Sequence, residues 1–116
     1  MNRTLTIFGA MVLAGIALSA HAAGDAVRGE AKAKPCQACH GPDGNGTAPI
    51  FPRLAGQYTD YLAQALMAYK SGARKNPIMV GMAAPLSEDD VRDLAAYFSG
   101  LPAGLHTLDT GRTARE

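Results

Sequence analysis

The sequence has no run with the alternating apolar pattern of a strand, no internal repeat and no low-complexity block. Without strands, the βαβ elements of a thioredoxin-like oxidoreductase are excluded, and helices are left to build the chain. No basic stripe with interleaved aromatics is present, which excludes a nucleic-acid binder. Only one long apolar run occurs, Leu5 to Leu18, so nothing after it reads as a membrane span. Cysteine is scarce, with two residues, and histidine nearly so, with His21, His40 and His106. That is too few ligands, too widely spaced, for a zinc site.

What is present begins with a leader. Met1 to Thr4 carries one positive charge, Arg3, and the apolar run follows. Then comes Ser19-Ala20-His21-Ala22-Ala23, with small residues at Ala20 and Ala22. This is the pattern of a secretory signal peptide, residues 1–22, cleaved after Ala22. Its apolar run is shorter than the ~20 residues a spanning helix needs. Removing Arg3 leaves ten basic residues balanced against ten acidic ones, which argues against strong electrostatic steering to one highly charged partner. The domain itself is expected over residues 23–102, and 103–116 reads as a polar, aperiodic, flexible tail. A domain of this size has a small core and needs a staple.

Helical patterning divides that domain. Asp25 is an N-cap for a short helix over Asp25–Lys34, which Pro35 is expected to end. Gly41 to Gln57, rich in Gly and Pro, reads as an ordered loop. Tyr58, Tyr61, Leu62, Ala65, Leu66 and Tyr69 recur at helical spacing over Tyr58–Ser71, and Gly72 stops that helix. Asn76-Pro77 marks a second loop, running to Pro85. Ser87 and Asp90 form a capping box, and Val91, Leu94, Ala95 and Phe98 give the last helix its apolar face. The fold class expected is all-α, with three main helices.

Chemistry concentrates at Cys36-Gln37-Ala38-Cys39-His40, the CxxCH pattern of c-type haem attachment. Two thiols separated by two residues reach the two vinyl groups on one edge of a porphyrin. The adjacent histidine then lies under the iron. The competing readings are a disulfide in an exported chain and a redox-active dithiol. A haem also supplies the apolar surface that a small core lacks. The second axial donor must come from elsewhere. Met1 and Met11 leave with the leader, and Met67 lies inside a helix, where packing is its role. Met79 and Met82 sit in the loop before the last helix, and spacing alone does not choose between them.

From Gly24 to about Leu101 the chain resembles the class I cytochromes c, and within them the cytochrome c-four group of proteobacteria. The matching pieces are Ala23-Gly24-Asp25-Ala26, the CQACHGPDGNG stretch and FPRLAGQ at 51–57. Tyr61-Leu62 with Gln64 and Leu66, Met79-x-x-Met82-Ala83-Ala84-Pro85-Leu86-Ser87, and Leu94-Ala95-Ala96-Tyr97-Phe98 complete them. The resemblance implies three main helices around one covalent haem c, with His40 and Met79 as axial ligands and Met82 as the alternative. It implies a proline carbonyl as acceptor for the second ring nitrogen of His40, for which Pro49 is the candidate and Pro52 the alternative. Arg53 and Arg74 are candidates for the haem propionates, since guanidinium suits carboxylates. Gly29 is expected to let the first helix cross close to Tyr97 or Phe98. Proteins of that group usually carry two such domains, whereas this sequence has one motif.

The function implied is one-electron transfer between a redox donor and a redox acceptor in the periplasm of a Gram-negative bacterium. Such a protein is a carrier rather than an enzyme, a monomer or weak dimer, with no membrane span after the leader. The alternative is a haem subunit held tightly by a dehydrogenase or oxidase complex. A sixth position left open would instead mark an enzyme or gas sensor.

Overall fold

The computed structural model describes residues 23–104. The expected signal peptide and its cleavage site, and the tail beyond 104, lie outside the described residues. Five helices follow one another: α1 Ala26–Lys32, α2 Lys34–His40, α3 Thr59–Ser71, α4 Pro77–Ala83 and α5 Glu88–Gly100. Among the described residues there is no strand, so the all-α class holds.

Two of these helices correct the sequence expectation. Pro35 does not end the helical region. It stands in the first turn of α2, where its missing N–H has no intrahelical partner to lose. α1 stops at Lys32, and Ala33 joins the two helices. Likewise Asn76-Pro77 opens α4 instead of a loop. The Asn76 side chain accepts the backbone N–H groups of Ile78 and Met79, and Pro77 occupies the first helical turn. The same dipeptide that punctuates turns also satisfies a helix start.

α1 and α5 form the frame. They approach so closely that a Cβ built on Gly29 would lie 2.0 Å from the Asp93 carbonyl oxygen and 2.8 Å from the Tyr97 Cβ. Glycine is required there by contact with the backbone of α5, and the expected crossing near Tyr97 is observed. Beside the crossing lies Asp93, 1% exposed. Its carboxylate accepts the Asp25 N–H at 2.8 Å, the Arg28 guanidinium at 2.9 and 3.0 Å, and the Lys32 ammonium at 3.0 Å. These cations hold the Asp93 carboxyl well below the usual carboxylate range, the Arg28 hydrogen bond foremost. A buried charge so fully paired fixes α1 on α5. α5 itself starts with the expected box: Ser87 accepts the Asp90 N–H, and Asp90 accepts the Ser87 N–H.

The core is one cluster of Ala33, Leu62, Leu94, Ala95 and Phe98, drawn from the α1–α2 junction, α3 and α5. Burying Leu94 and Phe98 contributes roughly 1.5–3 kcal/mol each. Cys36, Leu54, Leu66 and Leu86 pack on this cluster yet stay only partly buried. α3 packs on α5, and α4 packs on α3.

Candidate functional site

Because the CxxCH motif is helical, Cys36, Cys39 and His40 stand at i, i+3 and i+4 on one face of α2. Residues at these spacings lie ~5–6 Å apart at Cβ. Both thiols are free and half-buried, and burial pushes the Cys36 thiol up. Gln37, between them, donates to the Tyr97 hydroxyl at 3.0 Å, tying α2 to α5.

His40 is buried, and its Nδ1 lies 2.7 Å from the carbonyl oxygen of Pro52. A carbonyl only accepts, so Nδ1 carries the hydrogen, and in the neutral ring Nε2 keeps its lone pair for a metal. The acceptor is therefore Pro52, correcting the candidate Pro49. The reason is a turn closed by the Phe51 N–H on the Ala48 carbonyl at 2.9 Å. Pro49 takes the second position of that turn, which suits its fixed φ, and remains exposed. Just beyond, the N–H groups of Leu54 and Ala55 both donate to the Gly44 carbonyl, at 2.7 and 3.0 Å, and draw the chain back beside α2.

The glycine-rich stretch after the motif closes the end of α2. Gly46 N–H donates to the His40 carbonyl at 2.7 Å. Thr47 donates to the Cys39 carbonyl twice, from its N–H at 3.1 Å and its hydroxyl at 2.8 Å. These carbonyls would otherwise be orphans of the helix end. Gly46 has φ 86°, and a Cβ there would lie 2.7 Å from the Phe51 carbonyl oxygen. The loop between Asn45 and Arg53 also surrounds an open cavity of about 560 Å³, which neither the cysteines, His40 nor the methionines line.

Met79 and Met82 lie on α4, a helix where a loop was expected, and both are half-buried. With Ala83, fully buried, they repeat the i, i+3, i+4 pattern of α2, so both thioethers share one face. α2 and α4 make no extended contact with each other; α2 follows α1 and α4 rests on α3. The described donor set fits a haem: two free thiols and an imidazole nitrogen on one helix face, and thioethers on another helix. Leu54, Leu66 and Leu86 add half-buried apolar surface of the kind a flat macrocycle packs against.

The two arginines are placed differently. Arg53 is exposed beside Pro52, where it adds to the Asn45 N–H and amide that hold the Asp43 carboxyl low. The Arg74 guanidinium lies 4.8 Å over the Tyr69 ring, a cation–π contact. Sequence reasoning missed Thr47, Lys70, Asn76 and Asp93. Of these, only Asn76 left a signal, since Asn followed by Pro is also an N-cap and first-turn pair.

The family model described as "Cytochrome c" matches residues 26–102. The chain is 42% identical to cytochrome c4 of Pseudomonas aeruginosa over 115 residues, covering 99% of this chain and 56% of that relative. It is 50% identical to cytochrome c-554(548) of Halomonas halodenitrificans over 80 residues, covering 66% of this chain and 96% of the relative. The crystal structure of reduced recombinant cytochrome c4 from Pseudomonas stutzeri superposes with a TM-score of 0.68 at 46% identity, covering 72% of this chain and 48% of that one. The chain thus spans about half the length of the cytochrome c4 relatives it matches.

Proposed function

This chain belongs to the cytochrome c family, and on that premise we propose that it carries single electrons between redox proteins in the periplasm of a Gram-negative bacterium. The family's covalently bound haem c is its cofactor, and one CxxCH motif in the sequence accommodates one haem. When bound, the haem supplies one-electron cycling between ferric and ferrous iron.

The chain's own residues do the rest. Cys36 and Cys39 attach the group covalently, so it stays with the protein at any dilution. His40 would hold the iron through Nε2, and the Pro52 carbonyl fixes its tautomer and ring orientation for that role. Met79 would supply a thioether as the other donor, a pairing with histidine that would raise the potential. With His40 and Met79 both given to the iron, the site would need no substrate at the metal. Leu54, Leu66 and Leu86 would give the haem apolar surface to pack against, and Arg53, exposed beside Pro52, is the candidate partner for a propionate. Residues 1–22 act as the export signal, so attachment takes place outside the cytoplasm. Among the described residues, no helix is long and apolar enough to cross a membrane.

The observation that carries this reading is the single helix face holding Cys36, Cys39 and a tautomer-fixed His40. The test is expression in a host that matures c-type haems, followed by carbon monoxide addition to the reduced protein. Haem that survives denaturing electrophoresis, and a reduced spectrum that carbon monoxide leaves unchanged, are expected. Ready carbon monoxide binding would show an open position and favour an enzyme or sensor. Comigration with a larger enzyme in a native periplasmic extract would favour the complex-subunit alternative.

A further inference from the structure

We infer that Lys70 and Asn76 are positioning residues for Met79, acting on helix α4 from its two ends. The inference rests on the proposed role of Met79 as axial donor.

α4 has only seven residues, Pro77–Ala83. A helix of two turns does not persist on its own, because the cost of nucleation outweighs so few hydrogen bonds. What holds its ends therefore decides where its side chains point. At the start, the Asn76 side-chain oxygen accepts the N–H of Ile78 at 3.1 Å and that of Met79 itself at 3.2 Å. The Asn76 carbonyl accepts the Val80 N–H at 2.9 Å. The backbone of Met79 is thus tied directly to its cap.

At the far end, Lys70 reaches across from the last turn of α3. Its ammonium donates to the Ala84 carbonyl at 2.9 Å and to the Leu86 carbonyl at 2.6 Å. Ala84 is the residue that caps α4, and Leu86 continues the chain toward α5. Lys70 meets no carboxylate among the described residues; two carbonyls near the end of α4 take its charge-assisted bonds instead. Between the ends, Ala83 is completely buried and sets the rotation of the helix. Met79, four residues earlier, is carried on the same face. The Asn76 cap, the Lys70 bonds and the burial of Ala83 together set the start, end and rotation of α4, and with them the place of the Met79 thioether.

The consequence is a lower chance that Met79 leaves its place. The readout is imidazole, which competes with a methionine for the sixth position of the ferric holoprotein. The competition is followed through loss of the red methionine–iron absorption. Asn76→Ala and Lys70→Met are each expected to bind imidazole about five- to tenfold more tightly, because a cap or charge-assisted bond of ordinary strength is removed from the bound arrangement alone. Amide exchange at Met79 should accelerate by a similar factor. Asn76→Ser keeps a capping oxygen and Lys70→Arg keeps the cation, so both should stay within about twofold of the parent.

Asp93→Asn separates positioning from general loosening. It weakens the α1–α5 frame without touching α4, and should lower the melting temperature while leaving imidazole affinity within about twofold. If Asn76→Ala and Lys70→Met change imidazole affinity no more than Asp93→Asn does, the positioning role is wrong. If Asn76→Ala does not accumulate, Lys70→Met, a surface substitution, decides alone. Persistence of the methionine absorption in Met79→Ala would instead overturn the ligand reading on which the inference stands.

Discussion

His40 shows how one backbone carbonyl can decide an imidazole's tautomer. The Pro52 oxygen at 2.7 Å leaves only Nε2 free to coordinate. The pattern Cys36-x-x-Cys39-His40 is legible in sequence because vinyl spacing and metal ligation constrain five adjacent residues. The acceptor is not, because Pro49 and Pro52 are both prolines in the same loop. Which carbonyl faces the ring depends on the Ala48–Phe51 turn, a matter of three-dimensional closure. Gly29 lies between these cases. Its need for close approach follows from the family resemblance, while the contact itself is with the Asp93 backbone. Gly29→Ala places a methyl 2.0 Å from a carbonyl oxygen, so α1 must shift off α5. A destabilisation of about 3 kcal/mol is expected from such overpacking, read as a lower urea midpoint of the holoprotein. A midpoint equal to the parent's would show that the crossing yields freely.

Among the helices, α3 and α5 were legible because thirteen residues each give their apolar periodicity room to show. α2 and α4 were not, since seven residues hold fewer than two repeats of that period and each opens near a proline. The functional consequence is considerable. A loop would place Cys36, Cys39 and His40 separately, whereas a helix puts them on one face. The same holds for Met79 and Met82. α5 also depends on its start. Ser87→Ala removes the oxygen that accepts the Asp90 N–H at 3.1 Å and should cost about 1 kcal/mol. Ser87→Asp should recover most of it. Chemical denaturation of the two variants checks this, and equal loss in both would show that the cap contributes nothing.

Across the fold, the buried Asp93 cluster joins the first helix to the last, and no sequence pattern announced it. Arg28 and Lys32 lie 65 and 61 residues from Asp93 in sequence, and an aspartate inside a helix reads as an ordinary polar position. Its carboxyl is lowered in the folded state, and that of Asp90 is lowered to about 2, with the Lys32 hydrogen bond the largest cause. Lowered carboxyl values in the fold mean stability that is fully present above the unfolded value, near 4. It is lost as pH falls through the folded values. The holoprotein should therefore melt at a nearly constant temperature from pH 7 to about 4 with respect to these groups, and progressively lower down to pH 2. Asp93→Asn should melt on the order of 10 °C lower at pH 7 and decline less steeply below pH 4. An unchanged acid slope would show that Asp93 is not the group responsible.

The proposed site draws two thiols and His40 from α2 and a thioether from α4. The ferric spectrum of Met79→Ala, beside that of Met82→Ala, tests it most directly. Loss of the methionine–iron absorption in Met79→Ala and its survival in Met82→Ala is the expected result. Survival in Met79→Ala with loss in Met82→Ala would contradict it.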